Sequence, residues 1–352
     1  MTPPVATGGS ARRRESPGVG RLAWRRFCRD RVGLVSLAVV LFFFALMAAS
    51  GLHLVAGDWG RETGINYAPP AFLGMDGPHA TEEKLPTAMQ YARGVTVIES
   101  NIVDPLAEVL AEIRSQHGDA VAEVPRASTL IFGGDKWGRD VLKKVIKGTE
   151  TSLFVGLAAA FLTVLLGTIF GALAGYYGRW IDDFFNWFYS IFTAIPYLLL
   201  ILAIAAVLGQ KGTLTVVLIL GLTGWTGVFR LVRAEYLKHK VREYVLAADA
   251  IGASHGRRMF VHILPNVSHV VLVQLSLHVV LFIKSEVILS FLGFGVGVDT
   301  VSWGSMLNEA QSELILGKWW QLAAATMAMA TLVTAFSLFT DALRDALDPR
   351  LK

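Results

Sequence analysis

Residues 32–55 run for 24 positions without one charged side chain. At about 1.5 Å per residue, such a run crosses a hydrocarbon core of roughly 30 Å as a helix. A soluble core can hide one helix of this kind, but uncharged runs recur at 152–177, 184–208, 213–229 and 319–340. A sixth, 266–293, is apolar apart from Lys284, Glu286 and two histidines. With 53% hydrophobic and 17% charged residues and a mean hydropathy of +0.51, the composition has no room for a mainly soluble protein. Backbone polar groups in lipid must be satisfied within each span, so the runs are helices. The expected fold is an all-α integral membrane protein of about six transmembrane helices.

Charge sets the sidedness. Before the first run stand Arg12, Arg13, Arg14, Arg21, Arg25, Arg26, Arg29 and Arg31 against Glu15 and Asp30, which predicts a cytoplasmic N-terminal tail, 1–31. Six spans return the tail 342–352 to the same side. They also put 230–265, with Arg230, Arg233, Lys238, Lys240, Arg242, Arg257 and Arg258, in the cytoplasm, in agreement with the charge rule. The net charge of +4 therefore reports orientation and contact with membrane lipid, not nucleic acid. A cleaved signal peptide is the rival for the first run, but both its basic region and its apolar run exceed signal-peptide dimensions. A single cysteine, Cys28, excludes an internal disulfide and a cysteine-based metal site.

Residues 56–151 carry turn residues such as Asn66, Pro69 and Pro70 and mixed charges, and read as an extracytoplasmic insert. Within it Asp104 can cap a helix with Pro105 at its first position, Leu106, Val109, Leu110 and Ile113 on one face, and Gly118 beyond its end. From 152 to 341 the chain is expected to form the main transmembrane domain, with a loop at 235–265.

Gly167, Gly171 and Gly175, four residues apart, make one bare face on the second span, where either another helix approaches closely or glycine is simply common in membrane helices. Pro196 removes a backbone hydrogen bond in the third span and predicts a kink, static or part of a gate. In the loop, a helix from Glu243 places the small residues Ala248 and Gly252 about one turn apart. Ser254 then caps a second short helix, expected to stop near Leu264-Pro265 because proline disfavours helical geometry in the residue before it. A basic loop lying on anionic lipid is the plainer reading, but it does not call for the small residues or the Leu-Pro end.

These residues carry a family resemblance. Ala247-Ala248, Gly252 and Leu264-Pro265 resemble, in spacing, the cytoplasmic signature loop of ATP-binding-cassette importer permeases. Leu246 stands where that signature usually opens with glutamate, and His262 where isoleucine is usual. The run from Tyr244 to Ala248 and the run from His262 to Asn266 are similar to the dipeptide/oligopeptide/nickel branch. So are Gly133–Leu142, Leu289–Gly295 with Ser302-Trp303-Gly304, and Asp341–Arg350, with Gly134 in place of the branch's usual threonine. The resemblance implies that Ala247, Ala248, Gly252, Leu264 and Pro265 couple the chain to an ATPase. It also implies four partners: a second homologous permease subunit, two ATP-binding-cassette ATPase subunits, and an extracytoplasmic solute-binding protein. The expected function is ATP-driven import of di- or oligopeptides across the inner membrane, with nickel or opines as the alternative cargo within the same branch.

No catalytic triad, redox motif or nucleotide-binding loop is present, so neither an enzyme activity nor a cofactor is expected. Gly133 to Gly138 has the glycine spacing of a phosphate loop, but Arg139 and Asp140 follow where lysine and a hydroxyl are required. His269 and His278, nine residues apart, face opposite ways on a helix and make no metal site. Lys284 and Glu286 are placed near the outer end of their span, snorkelling towards water, with a structural role for Glu286. A secondary transporter would show paired broken helices or internal repeats, and no repeat is found. A receptor using the insert would not need six spans.

Overall fold

A computed structural model describes residues 24–74, 126–297 and 299–347, and these are all helix, turn and loop. Among them the only β-pairing is four isolated bridges. The Asp104–Gly118 helix and the arginines before residue 24 lie outside the described residues.

Helix α1, Arg31–Gly51, opens on Asp30, whose carboxylate accepts the Val32 N–H at 2.9 Å. Helix α2, Val141–Tyr177, begins inside the expected insert instead of at Ser152. An uncharged-run criterion cannot see its first turns, because they carry Lys143, Lys144, Lys147 and Glu150. Those turns are stabilised by Asp140 as N-cap and by ion pairs of all three lysines.

The third span is broken into α3, Arg179–Thr193, and α4, Tyr197–Leu208, set at 82° to each other. Pro196 stands at the break, so the expected kink is a full interruption: proline supplies no N–H and keeps Ile195 out of the helical region. The fourth span is α5, Thr213–Thr223, and α6, Thr226–His239, bent by 40°. It continues past Phe229, so Arg230, Arg233 and Lys238 are helical rather than in a loop. Helix α7, Glu243–Ala250, follows, and then α8, His255–Phe291, a 37-residue helix. Outside the spans α9, Trp303–Ile315, has a capping box between Ser302 and Ser305 that the sequence reading did not pick out. Helix α10 is Trp320–Leu347.

Four of these helices, α1, α2, α8 and α10, are individually long and apolar enough to span a membrane, and the two bent pairs raise the number to six. Large side chains such as Phe42, Phe161, Leu218 and Met327 remain exposed on them, which is the surface expected of helices solvated by lipid. The main core joins Val40 and Phe43 of α1, Leu153 and Val155 of α2, Leu220 of α5, Phe282 and Ile283 of α8, and Leu332 and Phe336 of α10.

The two ends of the bundle differ. At one, here the insert end, residues 62–70 bridge to 127–139. The chain crosses so closely there that a Cβ on Gly138 would sit 2.0 Å from the Gly64 carbonyl oxygen, while its φ of +75° also favours glycine. At the other, here the hairpin end, Gly178, α7 and the start of α8 gather. Tyr176 there shares a hydrogen bond with His255 at 3.0 Å.

Candidate functional site

Helix α7 and the turn after it form a compact hairpin between α6 and α8. Val245 packs inward with Tyr236, Met259, Ile263 and Val267, and Ala248 is likewise nearly fully buried. Tyr236 closes the contact by donating its hydroxyl hydrogen to the Met259 carbonyl at 3.1 Å. Gly252 ends the helix in the left-handed region, at φ +83°, and the Ala253 N–H reaches back to the Ala248 carbonyl at 2.9 Å. Ser254 caps the next turn by accepting the Arg257 N–H. Arg258 pairs with Asp249 and lies over the Tyr176 ring at 5.9 Å, fastening the hairpin to α2.

With Ala248 turned inward, the outward face belongs to Leu246, Ala247 and Ile251, of which Leu246 is 55% and Ile251 85% exposed. Two large apolar side chains thus stand on a rigid turn. Neither Leu246 nor Ile251 was a candidate from sequence. The signal was there, since an apolar residue beside the turn glycine is unexpected in a solvated loop.

Leu264 and Pro265 do not end a helix, contrary to the expectation. The chain runs through them, because residues Arg258–Ile263 form a π-helical turn immediately before the proline. The wider turn accommodates a residue that has no N–H to give and whose ring would crowd the preceding turn of an α-helix. The Asn266 amide then donates to the His262 carbonyl at 2.7 Å.

Helix α6 lies along the glycine face of α2. A Cβ on Gly167 would meet Val228 Cβ at 2.6 Å. One on Gly171 would meet the Phe229 carbonyl oxygen at 2.8 Å, and one on Gly175 the Arg233 carbonyl oxygen at 2.7 Å. These approaches are to backbone or Cβ atoms, whose positions no rotamer change can shift. Gly171→Ala should therefore cost about 1–3 kcal/mol by overpacking. Gly227→Ala on α6, where an added Cβ meets nothing within 4 Å, should cost nothing. Thermal unfolding of the two variants in one detergent checks this, and equal midpoints would count against the glycine contact. Arg233 also pairs with Asp182, holding the first turn of α3 against α6.

Two polar clusters sit towards the insert end. Glu286 is fully buried and does not snorkel to water as expected, whereas Lys284 is exposed. Its carboxylate accepts Ser152 Oγ–H of α2 at 2.8 Å and Ser290 Oγ–H at 2.7 Å. The Trp303 N–H in turn reaches Ser152 Oγ at 3.2 Å, so one carboxylate joins α2, α8 and the start of α9.

The second cluster was not read from the sequence. Lys144, 1% exposed, donates to Asp135 at 2.8 Å, to Glu309 at 2.6 Å and to Gln321 at 3.2 Å. Asp135 also accepts the N–H groups of Trp137 and Arg139, each at 2.9 Å. The Gly133–Gly138 segment therefore folds around a carboxylate rather than around a bound phosphate.

Glu313 borders this cluster. It accepts the Lys136 N–H, its other oxygen is without a partner, and burial pushes its carboxyl up to about 7. Lys144 opposes that rise, and Asp135 and Glu309 add to it. A raised carboxyl is held protonated by the fold, so its stabilising contribution is full below its ordinary value. It falls as pH rises towards 7 and is lost above. The protein should accordingly unfold at a higher temperature at pH 5.5 than at pH 8. Glu313→Gln should flatten this dependence, and an unchanged slope would count against Glu313 as its source.

Among the described residues no three His, Cys, Asp or Glu side chains gather to hold a metal ion. Residues 167–352 match the family described as binding-protein-dependent transport system inner membrane component. Residues 18–70 match the N-terminal transmembrane domain of oligopeptide transport permease C. The dipeptide transport system permease protein DppC of Bacillus subtilis is 37% identical over 65% of this chain and 71% of its own. The oligopeptide transport system permease protein OppC of the same organism is 36% identical over 66% and 75%. The Lactococcus lactis dipeptide permease DppC is 29% identical over 93% of this chain and 90% of its own. An all-helical bundle of spans and the matched region covering more than half the sequence agree: this chain belongs to the inner-membrane permease components of binding-protein-dependent transport systems.

Proposed function

We propose that this chain is one of two permease subunits of an ATP-driven importer of di- or oligopeptides. The observation that carries the reading is the hairpin of α7, which presents Leu246 and Ile251 outward while the buried Val245 locks it to the body of the protein. An apolar knob on a rigid base suits insertion into a groove of an ATPase subunit. The peptide assignment draws on what the relatives' names say those proteins transport. ATP hydrolysis then takes place on two separate subunits, a second permease stands beside this one, and a solute-binding protein docks on the insert end. The arginine asymmetry of the sequence supports a cytoplasmic side for both termini and the hairpin. Closure of the ATPases would push the hairpin and tilt the spans from inward-open to outward-open.

Gentle purification of the tagged chain tests the partner set: two ATPases, a similar permease and a binding protein should accompany it. Deletion should abolish growth on peptides as sole nitrogen source. Unimpaired growth on peptides with lost nickel uptake would give the cargo to nickel instead.

A further inference from the structure

We infer that a cavity at the insert end is an anion site that receives the terminal carboxylate of the solute, an inference that rests on the peptide reading for the solute's identity. The cavity is about 190 Å³ and is lined by Trp59, Arg139, Lys144, Lys211, Asn308 and Glu309, among others. At about 30 Å³ per water in the liquid, that volume holds roughly six waters, enough for the last residue of a peptide and too little for a whole oligopeptide.

Charge within the cavity is unevenly satisfied. Lys144 is neutralised by Asp135 and Glu309. Arg139 is different: its Nε is buried with no hydrogen-bond partner, and its guanidinium lies over the Trp59 ring at 5.7 Å. Among the described residues neither Arg139 nor Lys211 forms an ion pair. A buried guanidinium nitrogen without an acceptor is a costly arrangement. Arg139 lines a cavity to which the exposed Lys211 also contributes, and a carboxylate there would face two cations that have no ion-pair partner among the described residues. The indole beneath Arg139 holds the fork in one plane, which suits bidentate capture.

The wall opposite in sequence supplies room. Gly293 and Gly297 line the cavity, and a Cβ on either would meet nothing within 4 Å. Glu309 adds an acceptor for the N–H groups that precede a peptide's terminal carboxylate. Because a 1%-exposed side chain, Lys144, lines this space, a small molecule reaches it more readily than the flat face of a docking protein.

The test uses the permease pair with its ATPases in lipid nanodiscs, without the binding protein, and saturation-transfer NMR of three probes: dialanine, dialaninamide and acetate. Dialanine and acetate should bind and compete, and dialaninamide should bind at least about tenfold more weakly. Arg139→Gln combined with Lys211→Gln should lose about tenfold or more of the affinity for both carboxylates, the usual worth of a charge-assisted pair, with an unchanged unfolding temperature. Equal binding of dialanine and its amide, or an unaffected double variant, overturns the site even if peptide uptake is normal. Weakened binding-protein association with dialanine affinity intact also overturns it, by assigning the cations to docking. Acetate binding that the double variant abolishes, with dialanine excluded, keeps the anion site and removes the peptide reading alone.

Discussion

Lys144→Ala should destabilise the folded protein by about 3–5 kcal/mol, the usual cost of stripping one partner from a buried ion pair. The ammonium serves Asp135 and Glu309 at once, and Asp135 is itself fully buried. Without it, Asp135 keeps only two backbone N–H donors, and its negative charge remains in an enclosed site beside Glu309 and Glu313. Lys143→Ala is the control. Its partner Asp58 is well exposed, and such pairs contribute less than about 1 kcal/mol. Thermal unfolding should show Lys143→Ala close to the parent, and Lys144→Ala far below it or recoverable only in small yield. Equal stability of the two variants would show that the cluster is not an anchor of the insert end. Asp135→Asn combined with Lys144→Met should recover part of the loss, because both charges are removed while the amide oxygen still accepts the Trp137 and Arg139 N–H groups.

The second large effect is on coupling. Ile251→Asp or Leu246→Asp should leave the permease folded, since both side chains point away from its core, and should abolish transport. Central apolar side chains of an interface commonly contribute 2–4 kcal/mol, so association with the ATPases should weaken roughly thirty- to a thousandfold. Ala248→Asp is expected to behave differently. It forces a charge into a buried position and should be lost as misfolded protein rather than as an uncoupled transporter. Gly252→Leu should combine the strain of a φ of +83° with an unwanted side chain on the tip, whereas Gly252→Asn, which tolerates that conformation, should retain most transport. Pull-down of the ATPases by each variant, with peptide uptake measured alongside, decides the matter. Normal ATPase binding by Ile251→Asp would remove the hairpin as the coupling element.

The spans were legible because a lipid environment leaves a long and crude signal, an uncharged run of fixed minimum length. What that signal could not convey was where helices continue through charge. Lys143, Lys144 and Lys147 concealed the first turns of α2, and Arg230 to His239 concealed the end of α6, because each depends on ion pairs or neighbours that are far away in sequence. Proline behaved differently at its two sites. At Pro196 the expected bend is present and amounts to an 82° break. At Pro265 a π turn absorbed the defect and the helix went on. The glycine spacing marked a face of α2 but not which helix lies on it. Glu286 was assigned to the water because a carboxylate in an apolar run is costly. Its partners, Ser152 and Ser290, are ordinary serines that no pattern singles out.

The continuity of α8 has a mechanical consequence. At about 1.5 Å per residue, 37 residues make a rod of roughly 55 Å. One end is buried under the hairpin, and the other reaches Ser290 and the glycine turn beside the cavity. A rod of that length turns a tilt of about 5° at one end into a displacement of roughly 5 Å at the other. Motion of such a size would pass from the hairpin to the cavity wall without unfolding anything between them. The π turn at Arg258–Ile263 sets where the lever is gripped: lengthening or deleting one residue there would rotate everything beyond it by about 100° and put the glycine turn on the wrong side of the bundle.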